Sequence, residues 1–415
     1  MNRIIDVEEK VPFKLLLPLS IQHTFAMFGA SVLVPIIFGI NPSIVLLMNG
    51  IGTLLFILIT KGKAPAYLGS SFAFLAPGTA IIASQGYEFA QGAFVFIGVI
   101  GMIIAFIIKR YGIDWIDIVL PPAAMGAVVS LIGFELVGLT IRGGAIGAEI
   151  LTESYDINHL IVFLVTIFVA IFGSVLFKKF LATIPILVAI VAGYITAIAL
   201  GMVDFTPVLE SKIFTLPNFR FAKFSLSSFI TILPVILVIT SEHISHQVVT
   251  SNIVGRDLLK DPGLHRSIFA DNFSTALSGL IGGVPTTTYG ENIGVMAITK
   301  VYSTQVIGGA AVISIIMAFF GPLSELIATI PGDVIGGVTF LLYGMIGTSG
   351  LRLLVDRKVD FSISKNLILT SVIFTTGLSG LKIDIGAIQL SGMVLASVVA
   401  VLLSLILYFV EKLNK

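Results

Sequence analysis

The stretch Pro-Thr-Thr-Thr-Tyr-Gly-Glu-Asn-Ile-Gly-Val-Met-Ala-Ile-Thr-Lys, residues 285–300, lies inside a chain whose other segments are almost continuously apolar. A carboxylate at bilayer depth is costly, so Glu291 is expected to face a cavity that holds a partner or a substrate. The glycines beside it let the backbone approach a ligand closely. The stretch therefore predicts a ligand site inside a membrane-spanning bundle.

The composition excludes an ordinary soluble globular protein. Of the 415 residues, 56% are hydrophobic and only 11% are charged, and the mean hydropathy is +1.07, whereas soluble domains carry about 25% charged residues. Apolar runs near the roughly 20-residue length of a membrane-spanning helix recur from end to end. An outer-membrane barrel is disfavoured, because its strands would alternate apolar and polar side chains. We therefore predict an all-α polytopic membrane protein.

Several absences narrow the chemistry. The chain has no cysteine, which excludes disulfides, thiolate metal sites and thiol catalysis. It also lacks the Gly-x-Gly-Asp, His-Glu-x-x-His and Asp-rich patterns of intramembrane enzymes, so we predict a protein that is not an enzyme and needs no metal or cofactor. Residues 1–14 are charged and lead into a spanning segment without a small-residue cleavage pattern, so we expect no removable signal peptide.

Fourteen membrane-spanning segments are predicted, of which the third and tenth are unusually short and polar. Fourteen crossings put both termini on one side, and that side carries 19 of the 24 Lys and Arg residues. Because positive charge concentrates in cytoplasmic loops, we expect a cytoplasmic (inner or plasma) membrane protein with both termini cytoplasmic. The segments centre near residues 25, 51, 74, 99, 128, 168, 192, 240, 277, 293, 316, 343, 372 and 399. The five basic residues of the opposite side are Arg142, Lys212, Arg220, Lys223 and Lys382.

Two features recur about 210 to 220 residues apart. A Pro followed by a break rich in Gly, Ser and Thr occupies residues 65–72 and again residues 285–291. A Pro and a Gly with the same spacing open the fifth and twelfth segments, at residues 121–126 and 331–336. The repeated features indicate that the chain consists of two related halves.

Seven segments in each half force the halves into opposite orientations. We predict an inverted repeat, with residues 1–225 as the first half and residues 226–415 as the second. Interrupted segments at matching positions in inverted halves are typical of the binding site of a secondary transporter. The alternative is a chance pairing, because Gly and Pro are ordinary residues in membrane helices.

Segment eight carries the run Ser-Glu-His-Ile-Ser-His at residues 241–246. Glu242 and His246 are four residues apart and share one helical face, whereas His243 is turned from Glu242 by about 100°. In apolar surroundings such a pair can exchange a proton near neutral pH, which suggests a proton-linked substrate site. A structural alternative is that the two side chains bond each other. A metal site that includes His243 is disfavoured, because the order is not His-Glu-x-x-His and no further ligands are evident.

Glu291 in segment ten is the second candidate carboxylate, with Tyr289 beside it and Phe72 and Phe74 in segment three. Two carboxylates, exposed backbone amides and an aromatic wall suit a flat ring that bears N–H donors and carbonyl acceptors. A nucleobase fits this description. The alternative for Phe72 is a packing role, since the chain has 31 phenylalanines.

Other polar residues favour simpler interpretations. His23 in segment one and Asp271 in segment nine are lone polar groups on apolar faces, and we expect satisfied structural roles for them rather than ligand contacts. Glu135, Glu325 and Asp333 lie near segment ends, where solvated side chains are expected.

One motif resembles a known family. The run from Glu291 to Gly294, followed by Thr299 and Lys300, fits the Gln/Glu-Asn-x-Gly-x4-Thr-Lys/Arg signature of the nucleobase–ascorbate transporter family, also called nucleobase:cation symporter-2. The sequence is similar to the uracil-type bacterial members over nearly the whole chain. The matching stretches are residues 22–23, 25–30, 61–63, 65–74 and 242–246.

The resemblance implies a fold and a set of site residues. The fold would have two inverted seven-segment repeats, short antiparallel strands in segments three and ten, and a core domain (segments 1–4 and 8–11) that moves against a gate domain (segments 5–7 and 12–14). The implied site residues are Glu242 and Glu291 for hydrogen bonds to uracil, Phe72, Tyr289 and Gly290 for its lining, and His246 with Glu242 for proton coupling. Gln247 and Asp271 are less typical of the family, which leaves their roles open.

The leading hypothesis is a symporter that imports uracil together with protons by alternating access. Its partners would be uracil and membrane lipid, with no nucleic acid. The resemblance to the family also implies a homodimer. A xanthine or other purine permease of the same family is the alternative, although purine-type members tend to carry Gln where Glu291 stands. An anion transporter of the related sulfate type is a second alternative, which two carboxylates at the site disfavour because they would repel the anion.

Overall fold

The computed structural model describes residues 4–142, 156–385 and 388–413, and this part of the chain is predominantly helical. In a bilayer, helices satisfy every backbone N–H and C=O within their own segment, which explains why the long apolar runs are helical. The helices are α1 Phe13–Phe38, α2 Pro42–Ile59, α3 Leu75–Gln85, α4 Tyr87–Tyr111, α5 Asp114–Val119, α6 Pro122–Arg142, α7 Ile157–Leu176, α8 Pro185–Ala199, α9 Thr206–Glu210, α10 Leu226–Ile232, α11 Val235–Val254, α12 Leu264–Ile281, α13 Gly290–Thr299, α14 Thr304–Ala318, α15 Gly321–Ala328, α16 Gly332–Asp356, α17 Ser364–Leu378 and α18 Gly392–Leu413. The strands are β1 Leu68–Ser70, β2 Thr286–Thr288, β3 Lys382–Ile385 and β4 Ile388–Ser391.

Six of the described helices are long and apolar enough to cross a membrane, namely α1, α2, α4, α7, α16 and α18. The pair α10 and α11, bent by 42°, forms a seventh candidate if it counts as one span. Large apolar side chains such as Phe106 and Val175 remain exposed on the surface of the bundle, where lipid tails would cover them. The prediction of a helical, multi-pass membrane protein is therefore confirmed.

Local sequence explains where several helices begin, bend and end. The side chain of Asn41 accepts a hydrogen bond from the N–H of Ser43 and begins α2, with Pro42 in the first turn, where its missing N–H costs nothing. Pro234 lies between α10 and α11 and lacks the N–H that would continue the helix, which accounts for their bend. Helix α11 ends at Gly255, whose φ of 68° is readily adopted only by glycine.

The short strands β1 and β2 pair antiparallel in the middle of the bundle. The register places Leu68 opposite Thr288, Gly69 opposite Thr287 and Ser70 opposite Thr286. A two-stranded sheet leaves two open edges, which hydrocarbon cannot satisfy. Thr53 of α2 accepts a hydrogen bond from the N–H of Leu68 (2.9 Å). On the other edge, Thr275 of α12 accepts from the N–H of Thr286 (3.1 Å) and donates to its carbonyl oxygen (2.9 Å). Each edge is thus closed by a threonine.

Small residues let helices approach closely at the centre of the fold, where α6 packs along α16. A Cβ atom added to Gly133 would overlap the backbone of Gly347, and one added to Gly126 would lie 3.0 Å from the carbonyl oxygen of Gly350. Gly126 meets Gly350, whereas Gly133, further along α6, meets the earlier residue Gly347 of α16. The two helices are therefore antiparallel. Such small-residue contacts are typical of helix packing in membranes.

The N-terminal segment lies across one end of the bundle. The N–H of Ile5 donates to the carbonyl of Lys300 (3.0 Å), and the N–H of Tyr302 donates back to Ile5 (2.8 Å). Arg256, just after α11, forms an ion pair with Asp6 at 2.6 Å. This segment therefore ties the end of α11 to the connection between α13 and α14. We call this end of the bundle the N-terminal face.

Candidate substrate-binding site

Glu242 and His246 of α11 open into one cavity of about 390 Å³, which we call the α11 cavity. The two residues share a helical face, as their spacing predicts. The other walls are the turn that follows β1, together with α6 and α16, and the cavity continues toward the N-terminal face at Arg352 and Arg357. Its lining includes Phe72, Ala73, Val129, Ile132, Ser241, Ser245, Ile346 and Ser349.

His246 is held by the central sheet rather than by Glu242. Its Nδ1 lies 3.0 Å from Oγ1 of Thr288, the last residue of β2, and its Nε2 faces Gly290 at the start of α13. Glu242 is half-buried and has no hydrogen-bond partner in the part of the chain that the structure describes. The structural alternative, a Glu242–His246 hydrogen bond, is therefore not what the structure shows. An unpaired carboxyl group in a cavity is suited to accept a hydrogen bond from a ligand.

Glu291 opens into a second cavity of about 230 Å³, which we call the α13 cavity. The walls come from α1, α8, α13 and α16 and from the 3-10 turn Lys179–Thr183. Apart from Glu291 the lining is mostly apolar, with Ala26, Gly29, Leu33, Ile186, Leu187, Gly294, Leu342 and Met345.

Phe72 lines both cavities. The sequence places Glu242 and Glu291 in one site, whereas in the structure Glu242 lines the α11 cavity and Glu291 lines the α13 cavity. A ligand that contacts both would lie against Phe72, where the two cavities meet.

Neither Tyr289 nor Gly290, both expected to line the ligand, is part of the lining of the two cavities. The phenol of Tyr289 is buried, covers Gly69 and donates to the carbonyl of Ser70 (3.2 Å), so its side chain supports the central sheet. Gly290 is exposed and begins α13 without a side-chain cap. The first N–H groups of a helix have no intrahelical acceptor, so this end of α13 offers backbone donors beside His246.

The opposite face of α11 points into the protein core. His243 is buried, with Nδ1 3.5 Å from Oδ2 of Asp271 on α12 and with its ring edge against Phe56. Gln247, one turn later, is also buried. None of the three polar residues lines either cavity. Within the described residues no group of three or more His, Asp or Glu side chains is arranged to hold a metal.

Besides Asp271, three residues that the sequence marks as structural or solvated have specific partners. One is Asp333, expected to be solvated, whose Oδ2 lies 2.6 Å from Nδ1 of His159. The Nδ1 of buried His23 lies 3.1 Å from Nδ2 of Asn292, so α1 helps to fix α13. Glu135, expected to be solvated, is instead half-buried, and its Oε2 accepts from the N–H of Met393 (2.9 Å). The expectation for Glu135 is wrong, because the start of α18 covers this part of α6.

Thr288 and the two serine hydroxyls beside Glu242 are site residues that were not expected from the sequence. Thr288 lies within the quoted stretch, but only the packing of α11 against β2 brings it to His246. Ser241 and Ser245 flank the motif on α11 and line the cavity with it. Their spacing of one and three residues from Glu242 is a signal that could have found them.

Comparison with known proteins assigns the chain to a protein family. The sequence profile of a family described as "Permease family" matches residues 14–386. The chain belongs to this family. Among its relatives, a protein named "Uracil permease" from Escherichia coli (strain K12) is 52% identical over 414 residues, which are 100% of this chain and 96% of the relative. Another with that name, from Bacillus subtilis (strain 168), is 46% identical over 398 residues, or 94% of this chain and 91% of the relative.

Solved structures share the fold of this permease at low sequence identity. The transmembrane domain of the cyanobacterial bicarbonate transporter BicA matches with a TM-score of 0.65 and 17% identity, over 97% of this chain and 99% of that domain. Murine Slc26a9, an anion transporter in the inward-facing state, matches with a TM-score of 0.70 and 11% identity, over 97% of this chain and 69% of that chain. Because the relatives are permeases, the chain is a transporter and not an enzyme.

Proposed function

We propose that this permease imports uracil across the cytoplasmic membrane together with protons, by alternating access. The observation that carries the proposal is the unpaired carboxyl group of Glu242, which shares a cavity with Phe72 and His246. Full-length relatives named uracil permease supply the identity of the ligand. Uracil is a flat ring with two N–H donors and two carbonyl acceptors, and this site offers acceptors, backbone donors and an aromatic face.

In the proposed complex, uracil lies against Phe72 where the α11 and α13 cavities meet. Glu242 accepts one ring N–H group from the α11 cavity, and Glu291 accepts the other from the α13 cavity. The backbone N–H groups at Gly290 donate to a carbonyl of the ring. Hydrogen bonds that involve a charged group are shorter and stronger than neutral ones, so the carboxylates would contribute most of the specificity.

Proton coupling would use the pair Glu242 and His246. Both side chains can carry a proton, and they lie one helical turn apart in the same cavity. His246 also contacts Thr288 of β2, which leads directly into α13 and Glu291. A proton would bind this pair from one side of the membrane and leave to the other side. Its binding would link the charge of Glu242 and His246 to the position of β2 and α13.

The proposed architecture has fourteen crossings in two inverted repeats with both termini cytoplasmic. Matching helix contacts support it. Helix α2 packs on α14 as α4 packs on α12, and α7 packs on α8 as α17 packs on α18. The strands β1 and β2 occupy corresponding places in the two halves.

A division into core and gate follows the position of the cavities. The core domain would contain α1 to α4 and α10 to α14, and the gate domain would contain α6 to α8 and α16 to α18. Both cavities lie between these groups. Movement of one group against the other would expose the site to either side in turn.

Uptake of labelled uracil into proteoliposomes tests the proposal. We expect accumulation that depends on an imposed pH gradient and collapses when the gradient is dissipated. An added methyl group in a close-packed site typically costs about 1 to 3 kcal/mol, so thymine should compete less well than uracil, and xanthine hardly at all. Accumulation driven by sodium alone would contradict proton coupling, and xanthine competing as well as uracil would favour the purine alternative.

Phe72→Ala sharpens the test of specificity. Loss of the ring contact should weaken uracil by about 1 kcal/mol and should let thymine and xanthine compete better than in the parent protein. Phe74→Ala is the matched control, because Phe74 is buried against Phe94 and lines neither cavity. Unchanged discrimination in Phe72→Ala would remove this ring from the site.

A further inference from the structure

A third cavity, larger than the two at the proposed site, surrounds Glu135. It has a volume of about 450 Å³ and lies between α3 and α10 on one side and α6 and α18 on the other. We call it the outer cavity, because it lies away from the N-terminal face. Its lining includes Ala76, Gln85, Glu135, Ser225, Thr231 and Met393.

The outer cavity continues the cleft that holds the α11 cavity. Along α6 the wall passes from Ile132 in the α11 cavity to Glu135 in the outer cavity. On the facing side, Ala73 lines the α11 cavity and Ala76 lines the outer cavity. Three helical residues rise about 4.5 Å, so roughly one layer of side chains separates the two spaces.

The two cavities open toward opposite ends of the bundle. The α11 cavity reaches Arg352 and Arg357 near the end of α16, which lies beside the start of the antiparallel helix α6. The outer cavity lies toward the other end of α6 and includes Ser225, which begins α10. A ligand on its way to Glu242 from the outer end would pass through the outer cavity first.

Glu135 is held in a fixed position in this cavity. Its Oε2 accepts from the N–H of Met393 at the start of α18, where the helix dipole favours a negative charge. A Cβ atom on Gly392 would overlap the carboxylate, and the φ of 52° at Gly392 is itself unfavourable for other residues. Glycine at this position therefore leaves the space that the carboxylate occupies.

Gln85 supplies complementary chemistry across the cavity. Its Oε1 accepts from the hydroxyl of buried Ser228 (3.2 Å), which leaves the amide NH2 as a donor. A carboxylate that accepts, from α6, and an amide that donates, from α3, thus line the two sides of the outer cavity. Thr231 of α10 also lines it. This combination repeats the acceptor and donor set of the proposed main site.

We propose that the outer cavity is a second binding position for the transported ring, a neutral heterocycle with N–H donors and carbonyl acceptors, with Glu135 and Gln85 as its ligands. This inference rests on the proposed function. The ring would bind here on the way from the outer end of the cleft to Glu242 and Phe72.

The absence of cysteine makes a direct test possible. Thr231→Cys puts a single thiol in the outer cavity of the purified full-length protein, and its rate of reaction with a maleimide reports whether the cavity is occupied. We expect uracil to slow the reaction. Ser379→Cys is the matched control, because Ser379 is exposed at the end of α17 and lies outside the cavity lining.

Substitutions in the Thr231→Cys protein separate the two positions. Glu135→Gln keeps an acceptor for the N–H of Met393 but loses the charge, and it should raise the uracil concentration for half-protection by about ten-fold or more. Ser228→Ala removes the hydrogen bond that holds the Gln85 side chain and leaves the start of α18 unchanged. It should raise the uracil concentration for half-protection by about three-fold. Glu291→Gln should leave protection unchanged.

Other results would overturn the proposal. Protection that is unchanged by Glu135→Gln and Ser228→Ala, or that is lost in Glu291→Gln, would mean that occupancy of the main site closes the outer cavity. If the parent transports uracil but Thr231→Cys is not protected, only the outer position is wrong. If the parent does not transport uracil and uracil does not protect Thr231→Cys, the proposed function is wrong as well.

Discussion

The two faces of α11 use the same residue type in different ways. On one face, Glu242 and His246 line a cavity and Glu242 has no partner among the described residues. On the other face, His243 and Gln247 are buried in the core, where His243 meets Asp271. The same residue type therefore meets open space on one face of α11, where it is available to a ligand, and another helix on the opposite face, where it contributes to packing.

Removing the core partner should give the largest effect. Asp271→Ala leaves His243 buried without its partner, and breaking a buried pair in this way typically costs about 3 to 5 kcal/mol. We expect a correspondingly lower free energy of unfolding in detergent, measured with denaturant, whereas Glu242→Ala should change it by less than about 1 kcal/mol. An equal decrease in the free energy of unfolding of Asp271→Ala and Glu242→Ala would contradict the distinction between the two faces of α11.

Glu242→Gln should act on binding rather than on stability. The amide keeps one acceptor oxygen but loses the charge, and a charge-assisted hydrogen bond contributes about 1.5 to 3 kcal/mol. Uracil affinity, measured by equilibrium binding to purified protein, should fall by about ten- to a hundred-fold, and Glu291→Gln should behave alike. Glu325→Gln, on α15 and outside both cavities, is the control. Parent-like affinity in Glu242→Gln would exclude it as a ligand.

The two histidines allow a test of coupling within one helix. His246→Ala should reduce accumulation driven by a pH gradient by at least about ten-fold, because groups that transfer protons contribute this much or more. Exchange of labelled for unlabelled uracil without a gradient should fall less. His243→Ala should reduce both in parallel, in proportion to the amount of folded protein. If the pH dependence changes only in His243→Ala, the assignment of the faces is reversed.

The smallest effect is expected outside the membrane, at Asp6. The N–H of Val7 and the guanidinium of Arg256 hold the pKa of the Asp6 carboxyl below its usual value. The ionised form therefore stabilises the folded state above the unfolded-state pKa of about 3.9, and this contribution is lost as the pH falls through the lower folded-state pKa. Because both side chains are partly exposed, Asp6→Asn should cost less than about 1 kcal/mol at pH 7.

Unfolding of Asp6→Asn measured at pH 7 and again below pH 3 checks the sign of this effect. The difference from the parent should shrink at the lower pH, because the parent carboxyl is then protonated as well. A difference that grows on acidification would contradict the ion pair with Arg256.

The sequence determined the helical, membrane-spanning character of the chain, because apolar runs of bilayer length can satisfy their backbone only as helices. It also determined where regular structure is interrupted, since the Pro and Gly runs at residues 65–72 and 285–291 contain β1 and β2. Spacing alone predicts that Glu242 and His246 share a face, because four residues make about one helical turn.

Only the tertiary structure decided what each polar group meets. The threonines that close the edges of the central sheet come from α2 and α12, 15 and 11 residues before the strand residues that they bond, and only the packing of these helices beside the sheet aims them at its edges. Glu291 lines a different cavity from Glu242, and Glu135 lies beneath the start of α18. Helical periodicity says which side chains share a face, whereas the neighbour of that face depends on how distant helices pack, and local sequence carries no record of that packing.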